Sequence, residues 1–347
     1  MHEHHSYCDL DWILGNDRVH NAVVFMEGFD FETTIAVRGW SGAVATTTTG
    51  PRFGGRCISG QATITTHPLP SSYSTLIFGA AFWYDGFNTG TALLTMRAGA
   101  TVVCTMNVNA NQQIQIKNSG GTVIATGPTP LQLQVWNYVE IKCFVNAGTP
   151  ASGTIEVHLN GVVEIASTAG NFGSSLIDTI GFTGSSGNVT RFDDMYCADT
   201  SGAAPRNTFL GDVRIVAIVP TSDGAHTDWT PLSGSHFSNV DEIPPNDDTD
   251  YNSDATVGHI DTFGYSDIDT SATVYGVQVH LYARKDDANA RQLAPVIRQS
   301  GTDNVGTTVT MASTYSYYSQ LYNQDPTASD WTPTTVNADE FGVKTIA

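Results

Sequence analysis

Short runs of strand-forming residues recur about every ten to fifteen residues through the first two hundred positions, and no helical pattern separates them. Clear examples are TLIFGAAFWY (Thr75–Tyr84) and YVEIKCFV (Tyr138–Val145), and nearly all runs are bounded by Gly, Asn or Pro. Parallel strands need long crossover connections, whereas antiparallel strands need only tight turns. The pattern therefore predicts an all-β protein built of antiparallel sandwiches.

Composition supports the same class. Only 14% of the 347 residues are charged, while 33 are Gly and 14 are Pro. Surface helices need Lys, Glu and Arg, so this shortage argues against a helical bundle. Within TIEVHLNGVVEIAS, Asn160-Gly161 lies between two alternating runs and predicts a type I′ hairpin.

Acidic residues outnumber basic ones by 34 to 15, which gives a formal charge of −19. This charge repels DNA phosphates and anionic membranes, so we expect neither nucleic acid as a partner nor membrane insertion. The sequence contains no apolar run of about 18 residues and no signal-peptide pattern at its start, so we expect a soluble protein that is not conventionally secreted. The five cysteines are scattered and form no CxxC pair, which predicts mostly buried thiols.

A small, polar, proline-containing segment divides two regions that each restart a strand pattern. We predict an N-terminal arm over 1–21, a sandwich domain over 22–200, a linker over 201–207 and a second sandwich over 208–347. Residues 1–199 contain 15 acidic and 8 basic residues, against 19 and 7 in 200–347. The second half therefore carries most of the negative charge.

Three segments of the first half resemble the back half of a concanavalin A-like (laminin G-like) jelly roll. They are WNYVEIKCFVNAGTPASGTIEVHLNGVVEI (Trp136–Ile165), DTIGFTG (Asp178–Gly184) and TRFDDMYCAD (Thr190–Asp199). The resemblance covers roughly residues 22–199. An opening strand with EGFD (Glu27–Asp30) is similar to versions of this fold in tailed-phage virion proteins.

Four segments of the second half resemble a β-sandwich module of phage structural proteins. They are TFLGDVRIVAIVPTSDGAHTDWTP (Thr208–Pro231), VDEIPPNDDTDYNSD (Val240–Asp254), VYGVQVHLYARKDD (Val274–Asp287) and YYSQLYNQDPTASDWTPTTVNADEFGVKTI (Tyr317–Ile346). The resemblance implies a non-enzymatic structural component on the outer surface of a tailed-phage virion, as a capsid decoration, fibre or tail appendage. It also implies other virion proteins as partners and a homotrimer. The alternatives are a carbohydrate-binding adhesin and, third, a polysaccharide-degrading enzyme.

The strongest catalytic candidate is EGFDFE, because glucanases of the jelly-roll fold carry acids on alternating positions of one strand. Here Glu27, Asp30 and Glu32 follow the spacing i, i+3, i+5, which does not point all three to one cleft. The sequence therefore predicts no catalytic residues. The cluster His2, His4 and His5 is either a transition-metal site or a frayed terminus.

Nine acids and no Lys or Arg lie between Asp241 and Asp269. Calcium prefers several converging carboxylates, so Asp247, Asp248, Asp250 and Asp254 are candidate calcium ligands, although their spacing is not that of an EF-hand. The alternative is a solvated acidic loop whose side chains cap turns. The pair Asp193-Asp194 is a second candidate, and no other cofactor is indicated.

The segment FWYDGFN combines aromatic rings with side chains that bond hydroxyl groups, which is the chemistry of a sugar-binding surface. Its candidate glycan contacts are Trp83, Tyr84, Asp85, Phe87 and Asn88, and the candidate ligand is a host surface polysaccharide. Strand alternation requires one face to be core, so plain packing is the alternative. TYSYYSQLY (Thr314–Tyr322) is interpreted as a strand in a sandwich or a subunit interface.

Overall fold

The computed structural model describes residues 4–15, 23–42, 44–60, 62–86, 92–185, 187–201, 204 and 206–347, and for 4–15 it describes the backbone alone. The chain divides into two compact units. Of the described residues, those within 23–29 and 33–213 form the jelly-roll unit, and those within 4–15, 30–32 and 214–347 form the second unit. Within the described residues each unit contains two antiparallel sheets, which confirms the predicted all-β class: a jelly-roll sandwich followed by a second β-sandwich.

The strands of the described residues are, in chain order, β1 (His4–Gly15), β2 (Val23–Glu27), β3 (Thr46–Thr47), β4 (Cys57–Ser59), β5 (Thr65–Tyr73), β6 (Thr75–Tyr84), β7 (Ala92–Ala98), β8 (Thr101–Val108), β9 (Gln113–Asn118), β10 (Val123–Pro130), β11 (Asn137–Phe144), β12 (Gly153–Leu159), β13 (Val162–Gly170), β14 (Ile177–Phe182), β15 (Thr190–Ala198), β16 (Arg214–Ile218), β17 (Pro220–Thr227), β18 (Thr230–Pro231), β19 (Asn252–Ser253), β20 (Ile260–Tyr265), β21 (Thr273–Lys285), β22 (Gln292–Gln299), β23 (Thr302–Val305), β24 (Val309–Thr310), β25 (Ser316–Tyr322) and β26 (Glu340–Thr345). Short 3₁₀ helices span Ile35–Arg38, Pro150–Ser152, Phe237–Asn239 and Asp247–Thr249, and one α-helix, α1, spans Pro333–Ala338.

In the jelly-roll unit, sheet I has the order β13-β12-β11-β6-β15-β4-β3, with β2 also paired to β15, and sheet II has the order β10-β9-β8-β7-β14-β5. Alternating residues of both sheets fill one core between them. On β6 these are Leu76, Phe78, Ala80, Phe82 and Tyr84. Two-residue periodicity sends the residues between them to the opposite face of sheet I, where the site described below begins.

The predicted hairpin at Asn160-Gly161 is confirmed. Leu159 pairs with Val162 across the turn, and both turn residues have positive φ angles, 50° and 77°. The side-chain Oδ1 of Asn160 also accepts the backbone N–H of Tyr138 at 2.8 Å. The turn therefore joins β12 and β13 and anchors them to the neighbouring strand β11.

In the second unit one sheet has the order β18-β19-β1-β21-β25, with β16 also paired to β1, and the other has the order β17-β20-β26-β22-β23, with β24 on β22. The backbone of His4–Gly15, which the sequence places in an arm, is here an interior strand. It pairs with β21 from His4↔Lys285 to Gly15↔Thr273. Pairing partners this far apart in the chain leave no local signal, so the sequence pattern alone did not show them.

Residues 208–213 also differ from the sequence division, because they belong to the jelly-roll unit and not to the second sandwich. Backbone N–H groups of Leu210 and Gly211 donate to side chains of β15 and β11. Of the cysteines, Cys57, Cys104, Cys143 and Cys197 are buried, as the sequence predicts. Among the described residues no helix is long and apolar enough to cross a membrane.

Candidate functional site

At the end of β6, the two aromatic candidates Trp83 and Tyr84 point to opposite faces of the sheet, because successive side chains of a strand alternate. Tyr84 has no exposed surface and its ring stacks on that of Phe82, with 5.9 Å between centroids. Burial raises the pKa of the Tyr84 hydroxyl well above its ordinary value. A ring enclosed in the core presents no face to a sugar, so Tyr84 serves packing.

Trp83 points to the opposite face and is half-buried. It pairs in register with Arg191 of β15, and the guanidinium carbon of Arg191 lies 4.2 Å from the centroid of the Trp83 ring. A cation over an indole face at this distance is attracted by the negative charge of the ring face. The contact holds Trp83 in one orientation, with part of its surface exposed.

Asp85 anchors the neighbouring loop. Its backbone N–H donates to the carbonyl of Val189 at 3.1 Å, and its Oδ1 accepts the N–H of Val189 at 2.8 Å. One carboxylate oxygen is thus used for loop geometry. The candidates Phe87 and Asn88 lie outside the described residues.

A loop that the sequence reading did not single out lies at the same end. The backbone N–H of Gln134 donates to the carbonyl of Tyr84 at 2.8 Å, and Asn137 Nδ2 donates to the carbonyl of Val135 at 3.0 Å. The first bond joins the loop of residues 131–136 to the end of β6, and the second stabilises the loop internally. Leu133 and Val135 are exposed and Trp136 is half-buried.

The loop, together with Trp83, Asp85 and Arg191, forms what we call the Trp83 rim. It offers two indole rings, a carboxylate, a guanidinium and exposed amides, which are groups that stack on sugar rings and bond hydroxyls. The signal available in the sequence was LQLQVW (Leu131–Trp136), in which apolar and amide side chains alternate before the Trp-initiated strand.

The acids of EGFDFE are not brought together as a catalytic set. Glu27 is buried in the jelly-roll unit, where its Oε2 lies 2.9 Å from Arg38 Nε and its Oε1 accepts the N–H of Phe29. Asp30 and Glu32 belong to the other unit. Glu27 thus has a structural role at the end of β2.

Asp193 and Asp194 both accept hydrogen bonds from Arg52. Arg52 donates its backbone N–H to Asp193 Oδ2 at 3.1 Å and its Nη1 to Asp194 Oδ2 at 2.9 Å. Asp194 has a φ angle of 48°, at an irregularity of β15. Arg52 therefore satisfies one carboxylate oxygen of each aspartate, and the pair holds loop 48–56 against the sheet.

The four predicted calcium ligands do not converge. Asp247 accepts the hydroxyl of Tyr282 at 2.9 Å, Asp248 accepts Arg284 Nη2 at 2.9 Å, and Asp254 lies 3.0 Å from His259 Nδ1. Asp250 instead interacts with Glu242, whose pKa is raised to about 7, first by burial and then by the charge of Asp250. In the part of the chain that the structure describes, no group of three or more His, Cys, Asp or Glu is placed to hold a metal ion.

Besides His259–Asp254, the described residues of the second unit contain two His–Asp contacts that the sequence did not predict. His236 Nδ1 lies 3.0 Å from both oxygens of Asp261, and Asp261 Oδ2 also accepts Asn252 Nδ2 at 3.1 Å. Asp261 has no exposed surface, and burial raises its pKa to about 7 against the opposing effect of His236. His226 lies 2.9 Å from Asp303, which also pairs with Arg298.

No protein-family model matches the chain, and no curated protein matches it. Solved structures do. An endo-β-1,4-glucuronan lyase from Trichoderma reesei is 9% identical with a TM-score of 0.36, over 53% of this chain and 95% of that one. An alginate lyase of family PL-14 from Aplysia kurodai is 11% identical with a TM-score of 0.36, over 51% and 98%.

Domain 4 of a GH43 extracellular arabinanase from Geobacillus stearothermophilus, solved with arabinotriose, is 12% identical with a TM-score of 0.36, over 54% of this chain and 95% of that one. At these TM-scores the likeness carries no argument about activity. The prediction of a non-enzymatic protein is nevertheless corrected: the structures that share this fold include lyases, so the fold gives no ground for excluding catalysis.

Proposed function

We propose that the protein is an exposed structural component of a tailed-phage particle whose jelly-roll unit contacts host surface polysaccharide at the Trp83 rim. The observation that carries the polysaccharide contact is the half-exposed Trp83 ring, held by Arg191 beside Asp85 and loop 131–136. Stacking on an indole already fixed in orientation costs little conformational entropy, so a preorganised rim suits sugar binding.

The location on the particle is proposed from the motif resemblances of both halves. The formal charge of −19 supports a place on the outer surface, away from packaged DNA. We propose other virion proteins as partners and a homotrimer as the assembly. A free adhesin with the same rim is the second candidate, and particle association distinguishes the two.

The first prediction tests the rim. In a binding assay with bacterial capsule and cell-wall polysaccharides, we expect Trp83→Ala to weaken binding on the order of tenfold, because contacts on an aromatic ring are worth about 0.5–1.5 kcal/mol beyond the apolar area that they bury. Asp85→Asn and Trp136→Ala should give intermediate losses. Assaying the same mixtures for new reducing or unsaturated ends shows whether contact is accompanied by cleavage.

The matched control is Leu176→Ala. Leu176 is 37% exposed and precedes β14, whose first residue pairs with Tyr73, the last residue of β5. Tyr73 lies two residues before the start of β6, whereas Trp83 lies at the end of β6. Unchanged binding in this variant, with loss in Trp83→Ala, supports the rim. Equal binding by Trp83→Ala and wild type to every polysaccharide would reject it, and absence of the protein from purified virions would reject the particle location.

A further inference from the structure

Residues 207–213 cross the outer face of sheet I, and we call this segment the strap. Phe209 stacks on His158 of β12, with 3.8 Å between ring centroids. The N–H of Leu210 donates to Tyr196 Oη of β15 at 3.1 Å, and the N–H of Gly211 donates to Glu140 Oε1 of β11 at 2.9 Å. The strap therefore contacts three strands through one ring stack and two hydrogen bonds.

The far end of the strap is attached by an arginine. Arg52 Nη1 donates to the carbonyl of Val213 at 2.8 Å, and the Arg52 guanidinium pairs with Asp212. The same guanidinium binds Asp194 on the sheet. This attachment consists of one hydrogen bond to a backbone carbonyl and one ion pair, and Glu140 is a partner in neither.

The middle of the strap depends on a glycine in the sheet. Gly79 of β6 pairs with both Glu140 and Tyr196, and a Cβ added at Gly79 would lie 2.1 Å from Tyr196 Cε1. Only a residue without a side chain lets the Tyr196 ring lie over β6 and bring its hydroxyl to Glu140. The Tyr196 hydroxyl donates to Glu140 Oε1.

Glu140 is 1% exposed, and its Oε2 has no hydrogen-bond partner among the described residues. The titratable groups placed against it are Tyr196 from β15, Tyr138 from β11, His158 from β12 and Asp212 from the strap, while Arg52 and Asp194 act on the neighbouring Tyr138. Burial raises the pKa of Glu140 to about 7, against the lowering effect of the donors Tyr196, Gly211 and Leu210.

We propose that the strap is a proton-controlled latch on the jelly-roll unit: it stays closed over sheet I while Glu140 is protonated and loosens when Glu140 ionises. The ionised carboxylate beneath a closed strap has a buried oxygen without a donor, and lifting the strap gives that oxygen to water. The ligand that sets the latch is the proton alone, so the latch is independent of the proposed polysaccharide contact.

The sign follows from linkage. Beneath the closed strap the pKa of Glu140 is about 7, and in an opened strap the exposed carboxyl returns toward its ordinary value of 4.5. The closed form therefore binds the proton more tightly, and it is favoured most at low pH. As pH rises from about 4.5 through 7, the ratio of closed to open strap falls by on the order of 100-fold.

The test is hydrogen–deuterium exchange of the peptide that contains residues 207–213, measured from pH 5 to 8 and corrected for the intrinsic pH dependence of amide exchange. We expect protection at Leu210 and Gly211 to fall on the order of 100-fold across this range in the wild type. In Glu140→Gln, which cannot ionise, protection should stay high at pH 8. In Tyr196→Phe, which lacks a donor to the carboxylate, the midpoint should move to higher pH.

Two variants serve as controls. Glu164→Gln neutralises a buried glutamate of β13 that accepts the N–H of Thr129, away from the strap, and should keep the wild-type profile. His158→Gln should also keep the pH dependence. Equal protection at pH 5 and 8 in the wild type would overturn the latch, as would a pH dependence that persists in Glu140→Gln; its loss in His158→Gln would then assign the dependence to His158. If Glu140→Gln does not fold, a Tyr196→Phe midpoint that does not rise overturns it.

Discussion

At the scale of single residues, burial decides the chemistry of each titratable group more than its type does. Trp83 and Tyr84 are neighbours, yet only one keeps exposed surface, because strand alternation sends them to opposite faces. Two buried acidic residues differ in the partner that offsets the cost of burying a negative charge. Glu27 pairs with Arg38, whereas Asp261 relies on the less strongly basic His236.

A pH-dependence prediction follows for Asp261. Its folded pKa of about 7 lies above the ordinary value of 3.8, so its contribution to stability is fully present below pH 3.8 and is lost as pH rises through 7. Relative to Asp261→Asn, we expect the wild-type free energy of unfolding to fall by about 1.4 kcal/mol per pH unit between pH 5 and 7. Chemical denaturation at several pH values measures this.

The control for Asp261→Asn is Asp267→Asn, since Asp267 is an exposed aspartate of the same unit. This variant should follow the wild-type pH profile within experimental error. A constant stability difference between wild type and Asp261→Asn from pH 5 to 7 would contradict the raised pKa.

At the scale of elements, tight turns set the register of the sheets. The hairpin between β12 and β13 requires positive φ at both of its central residues, and the Asn160 side chain ties it to β11. Non-local elements behave differently. Strand β1 pairs with β21, which follows it much later in the chain. The strap is held on sheet I by side chains from β11 and β15.

The turn prediction is tested at Gly161. Its φ is +77°, and an added Cβ would meet nothing within 4 Å, so Gly161→Ala isolates backbone strain from steric clash. We expect a loss of about 1 kcal/mol in the free energy of unfolding. Gly120→Ala is the control, since a Cβ there makes only ordinary contact with Asn118 at 3.5 Å. Equal effects of the two substitutions would contradict the strain argument.

At the scale of the whole molecule, the negative charge is concentrated in residues 200–347 and above all between Asp241 and Asp269. The structure relieves part of this charge with hydrogen bonds from tyrosine and arginine side chains. Asp248, for example, accepts both Arg284 and the hydroxyl of Tyr315. Hydrogen-bond donors of the protein here offset negative charge that a bound cation would otherwise offset.

We therefore predict that calcium has little effect on stability. A site filled at 100 times its dissociation constant would add about 2.7 kcal/mol, which raises the melting temperature by several degrees. With millimolar calcium or with a chelator, we expect the melting temperature to change by less than about 1 °C. Magnesium at the same ionic strength is the control, and a rise specific to calcium would restore the acidic tract as a metal site.

Several features were accessible from the residues alone because their causes are local. The shortage of helix-forming surface residues and the alternating runs predict the all-β class, and Asn160-Gly161 predicts its hairpin. The buried state of Cys57, Cys104, Cys143 and Cys197 also follows from their types and spacing. For the sugar-contact candidates, strand alternation predicted only that one face of β6 lies in the core.

Tertiary structure alone decided which residues meet. It set Arg191 over Trp83, joined loop 131–136 to the end of β6, gave the predicted calcium ligands protein donors and brought residues 208–213 onto sheet I. It also placed His4–Gly15 in a sheet with Thr273–Lys285. The physical reason is that periodicity reports the face of a residue within its own strand, while the partner across a sheet depends on how distant strands pair.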